Sequence, residues 1–187
     1  MSKENTTLYA ILGLLTHEDL SGYDIKKRID SSINNFWVAG YGQIYPTLKV
    51  LEKDGFVTKA VGANVKGPDR IIYSITESGK KMLIDWLKTS NEKEYVKYEI
   101  LLKLFFGSII PIQDNIKKIM EFRTRNQEKL KMMELFSENL KQVLPDNRDH
   151  YYYYLTVLFG KYTYKANMDW ADEAVKILKD LEVRDNI

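Results

Sequence analysis

From Leu8 to Phe56 the apolar positions recur at helical spacing, and each run predicts a helix with one buried face. Leu8, Ile11, Leu12 and Leu15 make the first stripe, with Thr6 or Thr7 as its cap. Ser21-Gly22-Tyr23-Asp24 predicts a capping box at the start of a second helix, in which the Ser21 hydroxyl and the Asp24 carboxylate meet reciprocal backbone N–H groups. Ile25, Ile29 and Ile33 form the inner face of that helix, and Lys26, Lys27 and Arg28 its outer one. Phe36 and Trp37 sit in a tight link and read as core plugs. Ile44, Leu48 and Leu51 mark a third helix, stopped by Gly55-Phe56, where glycine accepts the left-handed backbone that satisfies the last carbonyls. Pro46 is compatible with a first turn, which places the start of this helix near Gly42 or Gln43.

After Phe56 the period falls to two. Val57 to Val61 and Arg70 to Ile75 predict paired strands, with Gly62, Asn64, Gly67 and Pro68 marking a turn-rich tip between them. Thr76-Glu77-Ser78-Gly79 then opens a fourth helix with Met82, Leu83, Trp86 and Leu87 inside. Three helices followed by a hairpin and a helix make a winged helix-turn-helix, assigned to residues 1–88. The fold class is therefore mainly α with a small β-hairpin.

Residues 89–94 are polar and aperiodic, and read as a linker. Residues 95–187 predict helices throughout. Tyr95 to Gly107 is apolar enough to be buried on more than one side. Pro111 restarts the chain into a helix reaching about Leu144, with Ile116, Ile119, Met120, Leu130, Met133, Phe136 or Ser137, and Leu140 on its stripe. Pro145 breaks it. A last helix from about Arg148 to Leu181 carries Leu155, Phe159, Tyr162, Ala166, Trp170, Ala174, Ile177 and Leu181 at nearly heptad spacing. Two antiparallel helices this long cannot easily bury both stripes between themselves. They predict a C-terminal antiparallel long-helix dimerisation domain that closes against a second copy, against the competing view of a self-contained three-helix subdomain.

Composition narrows the functions. The 187 residues are 44% hydrophobic and 29% charged, which excludes wholesale disorder. The net charge of +2 supplies no general basic field, so any nucleic-acid contact must come from a local patch. There is no cysteine and there are two histidines, which fits a cytoplasmic location and offers no thiolate metal site. No secretory leader and no apolar run long enough for a bilayer are present, so no membrane partner is expected. No nucleophile elbow, phosphate loop or metal-spaced cluster appears; neither an enzyme nor a cofactor is expected.

The candidate chemistry lies on the third helix. Its outward side carries Gln43, Tyr45, Pro46, Lys49 and Lys53, a set of amide, hydroxyl and ammonium donors suited to a DNA major groove. A solvated helix face has a similar composition, so these residues alone leave both readings open. Lys66 and Arg70 belong to the wing and can reach an adjacent minor groove or phosphate. In the second half, Arg123, Asn126 and Gln127 interrupt an apolar stripe. Such a break can set helix register, or Arg123 can receive an effector carboxylate. The aromatic run Tyr151 to Tyr154, with Tyr162, Tyr164 and Trp170, can serve as interface anchors or line a site for a small aromatic effector.

The N-terminal part resembles the PadR family of bacterial transcriptional regulators. The resemblance rests on Tyr9-Ala10-Ile11-Leu12-Gly13-Leu14-Leu15, Leu20-Ser21-Gly22-Tyr23-Asp24-Ile25, Phe36-Trp37 with Ala39, and Gln43-Ile44-Tyr45-Pro46 with Leu48-Lys49 and Leu51. It continues through Asp54-Gly55-Phe56, Tyr73 with Thr76, and Glu77-Ser78-Gly79-Lys80. Leu101 to Gly107 is similar to the opening of the C-terminal domain in the longer subfamily, which includes the phenolic acid decarboxylase repressor. The resemblance implies a homodimer that binds double-stranded, palindromic operator DNA and usually represses. It departs from the family pattern at Gly42, where a small hydroxyl residue is common, and at Val50, where a basic or polar one is. The competing reading is a winged-helix adaptor that binds protein and no DNA.

Overall fold

The helix α1, Thr7–Leu15, forms on the predicted stripe and buries Ile11, Leu12 and Leu15 completely or nearly so. The computed structural model describes residues 5–34, 36–62, 70–90 and 97–185. These fall into two compact units, Met1–Lys93 and Glu94–Ile187.

In the first unit, α1 is followed by β1 (Leu20–Ser21), α2 (Gly22–Arg28, continued by a π-helical turn over Ile29–Ile33) and α3 (Tyr41–Lys53). Next come β2 (Val57–Gly62), β3 (Arg70–Ile75) and α4 (Glu77–Leu87). The core joins Ile11, Leu12, Ile25, Ile29, Ile44, Leu48, Leu51, Val57, Tyr73 and Leu83. The predicted hairpin is part of a three-stranded antiparallel sheet in the order β1-β3-β2, with Leu20 opposite Tyr73 and Lys59 on Tyr73's other side. A two-residue strand has no period of its own, which is why the pattern does not announce β1.

Ser21 caps α2 as expected by accepting from the Asp24 N–H at 3.1 Å. The return bond differs, because the Asp24 carboxylate takes the Ser21 hydroxyl proton at 2.6 Å instead of a backbone N–H. Thr76 caps α4 by accepting from Gly79 N–H at 3.1 Å. The Thr76 and Ser78 hydroxyls also donate to the Gly55 carbonyl at 2.8 and 2.9 Å, tying α4 to the end of α3. Tyr9 and Trp86 stack at 4.3 Å and hold α1 to α4. Phe36 is exposed rather than a core plug, and Leu87 also faces outward. Neither belongs to the core or to the partly buried residues packed against it.

The second unit contains α5 (Glu99–Phe105), α6 (Ile112–Val143) and α7 (Arg148–Asp185), with a 3-10 turn over Leu144–Asp146 at Pro145. Gln113 meets Glu182, Arg123 meets Asp172 and Asn126 meets Asn167, so α6 and α7 run antiparallel. Their shared core is Ile116, Ile119, Ala171 and Val175, flanked by Phe122 and Trp170 in edge-to-face contact at 5.6 Å. Of the predicted seam, only Trp170 and Ala174 pack against this core. Leu155, Phe159 and Tyr162 are 59, 66 and 68% exposed, and Ile177 and Leu181 are exposed too. No residue of α5 is buried, and Phe105 is 82% exposed. The expectation that this segment is buried on several sides is not met within one chain. Most of the predicted linker lies outside the described residues.

Candidate nucleic-acid interface

The helix α3 is anchored by Ile44, Leu48 and Leu51, all essentially inaccessible. Buried Thr47 adds two polar ties: it accepts from the Asn5 side-chain amide at 2.8 Å and donates to the Gln43 carbonyl at 2.7 Å. With three large apolar side chains sunk in the core, rotation of α3 about its axis would cost several kcal/mol of burial. The opposite face is therefore held in one orientation, and it exposes Gln43, Tyr45, Pro46 and Lys49, as the pattern predicts.

The start of α3 differs from expectation. It begins at Tyr41 with Gly40 in the cap position. Pro46 thus lies in the second turn, where its missing N–H removes the bond that would run to the Gly42 carbonyl. Gly40 has no side chain to cap with. The Gln43 side-chain oxygen instead accepts from the Gly40 N–H at 3.3 Å. That bond uses one lone pair of the amide oxygen, and the amide NH2 of Gln43 donates no hydrogen bond to any described residue. Gly42 lies inside the helix, so a hydroxyl residue there would not be its cap.

The basic residues separate by their partners. Lys59 pairs with Glu52 at 2.8 Å, and this hydrogen bond raises the lysine pKa. Lys26 pairs with Asp30 and Arg28 with Glu18. Of the three outward cations on α2, Lys27 alone has no acidic partner among the described residues. Lys49 and Lys53 on α3 likewise have none there. Arg70 opens β3 opposite Gly62 and is exposed. Lys66 falls in residues 63–69, outside the described residues. Behind the face, burial raises the pKa of Tyr73, with nearby Glu52 adding to the effect, so this core phenol stays neutral.

Tyr41 is a neighbour that the apolar pattern does not single out. Its ring lies over Tyr45 with centroids 6.0 Å apart and planes 23° from parallel. The spacing of four residues between two tyrosines is the signal that could have marked the pair. In the second unit, the Arg123 guanidinium is engaged by Asp172, with Nη2 to Oδ2 at 3.1 Å. This bond holds the Asp172 carboxyl below its usual range. The fork offered to an effector carboxylate is thus taken by a carboxylate of the same chain. No group of three or more potential metal ligands occurs among the described residues, and no described helix is long and apolar enough to cross a membrane.

Comparison with known proteins decides the class. The sequence model of the "Transcriptional regulator PadR-like family" matches residues 11–85, and that of "Virulence activator alpha C-term" matches residues 96–179. The chain is 38% identical over 123 residues to the negative transcriptional regulator PadR of Bacillus subtilis (strain 168), covering 65% of this chain and 68% of that protein. This chain belongs to the PadR family. The family consists of transcriptional regulators and not of enzymes. The crystal structure of B. subtilis PadR in complex with operator DNA matches with a TM-score of 0.83 at 30% identity, over 95% of this chain and 99% of that one. B. subtilis PadR in complex with p-coumaric acid matches with a TM-score of 0.69 at 31% identity, over 91% of this chain and 97% of that one. The winged-helix fold with C-terminal helices is therefore the family's own.

Proposed function

We propose that this chain is a homodimeric repressor that reads palindromic operator DNA with α3 and is released by a small aromatic acid. The observation that carries the reading is the outward face of α3: Gln43, Tyr45, Pro46 and Lys49 stand on a fully buried apolar face, and Lys49 has no competing acid among the described residues. Lys49 supplies charge to a phosphate or guanine edge, the Gln43 amide and Tyr45 hydroxyl supply directed hydrogen bonds, and Pro46 presents an apolar surface to a thymine methyl. Arg70, with Lys66, anchors the wing on the neighbouring backbone. Residues 1–88 serve as the DNA-binding domain, 89–94 as the linker and 95–187 as the dimerisation domain, in a cytoplasmic protein. The relative's complex with p-coumaric acid supports an aromatic acid as the releasing signal.

The test is selection of a duplex from a random pool by the wild-type protein, followed by affinity measurements at several salt concentrations. Lys49→Ala together with Lys66→Ala is expected to weaken binding and to lower the salt slope by about one unit for each phosphate left without its lysine. Unchanged affinity and slope would favour the adaptor reading. In a second arm, p-coumaric acid and related phenolic acids are titrated into the complex. Release is expected, and no release by any of them would remove that class of effector.

A further inference from the structure

Gly22 is the first residue of α2, and its φ is not positive, so nothing in its backbone demands glycine. By helix propensity alone, alanine would be the better residue there. The reason for glycine lies in α3. A Cβ built on Gly22 would stand 2.6 Å from Cε1 and 3.0 Å from Cζ of the Tyr45 ring. The Tyr45 ring therefore lies directly against the bare backbone at the start of α2. Tyr41 braces the ring from along α3. Although so held, Tyr45 remains 44% exposed, with much of its surface turned to solvent.

We propose that Gly22 is a positioning residue for DNA recognition: its missing side chain seats the Tyr45 ring, and Tyr41 braces it, so that the hydroxyl is pre-aimed at the operator. This rests on the reading of α3 as the DNA-contacting helix. A fixed side chain loses less rotamer freedom on binding, and that gain is independent of any new contact. The atoms that would clash belong to an exposed side chain free to swing aside, so Gly22→Ala displaces Tyr45 without dismantling the fold. The substitution thus separates DNA affinity from stability.

The experiment compares wild type, G22A, Y45A and G22A/Y45A on the duplex selected by the wild-type protein, with thermal melts of each. G22A is expected to melt at or above the wild-type temperature, yet to bind about fivefold or more weakly, the lower end of what a base-edge contact contributes. In the Y45A background the same change is expected to cost less than about twofold, because coupled residues are non-additive. G22A and Y45A should also relax base preference at the same position in each half-site. Tyr41→Ala, which removes the brace without touching Gly22, should weaken binding too. Wild-type affinity in G22A or Y41A, or an equal cost of G22A with and without Tyr45, overturns the proposal. Failure of the wild-type chain to select any duplex would instead defeat the reading of the fold as a DNA binder, and this inference with it.

Discussion

Gly55 closes α3 with a φ of 75°, and it is the sole positive-φ residue among those described. The Phe56 N–H reaches the Leu51 carbonyl at 2.8 Å and the Gly55 N–H reaches Glu52 at 3.0 Å, the paired bonds of a Schellman stop. Its Cβ would meet nothing, so the cost of a side chain is conformational alone. Gly55→Ala should lower the unfolding free energy of the first unit by about 1–2 kcal/mol, the left-handed penalty, as read by urea titration. This residue is legible in the sequence because a glycine directly after an apolar period has few other reasons to be there. Gln43 and Gly22 are not legible in the same way. The bond from Gln43 back to Gly40 and the seat of Tyr45 on Gly22 depend on where α3 starts and on which residue of α2 it passes.

At the scale of elements, α7 carries two apolar faces. Ala171 and Val175 pack on α6, while Leu155, Phe159, Tyr162, Ile177 and Leu181 remain exposed. The near-heptad pattern shows that an apolar seam exists, but periodicity names a face and not the element that covers it. The small residue Ala171 is buried instead, in the cluster it shares with Ile116 and Ile119 of α6. Between the two helices, the Arg123–Asp172 bond is a pH-dependent tie. Its effect on Asp172 is to lower the pKa, so its contribution is present above the ordinary carboxylate pKa of about 3.9 and is lost as pH falls through the depressed native value. Asp172→Asn should therefore destabilise the α6–α7 hairpin at pH 7, and the difference from wild type should shrink at about pH 3. A difference that persists at acid pH would show that packing, not charge, is at stake.

At the scale of the whole molecule, the proposed recognition of a palindromic operator needs two copies of α3 about 34 Å apart, one turn of the double helix. The apolar residues left exposed on α7, with Phe105 on α5, are the surface on which the proposed dimer would close. Leu155→Asp with Phe159→Asp should convert the proposed dimer to a monomer in light scattering. The same change should weaken operator binding by about 100-fold or more through the loss of bivalency, with the first unit still folded. A monomer that binds the selected duplex as tightly as wild type would show that one reading helix suffices.

The order of helices and hairpin strands, the buried faces of α1 to α3 with most of that of α4, and the polar face of α3 were all determined by the sequence. Each follows from spacing along a few consecutive turns, and the physics of local burial acts over that range. The third strand at Leu20–Ser21, the sixth-position Pro46, the carboxylate that occupies Arg123 and the ring seated on Gly22 were decided only by the tertiary structure. Each of these depends on where elements start and how they pack, and no periodicity within one element encodes its neighbour.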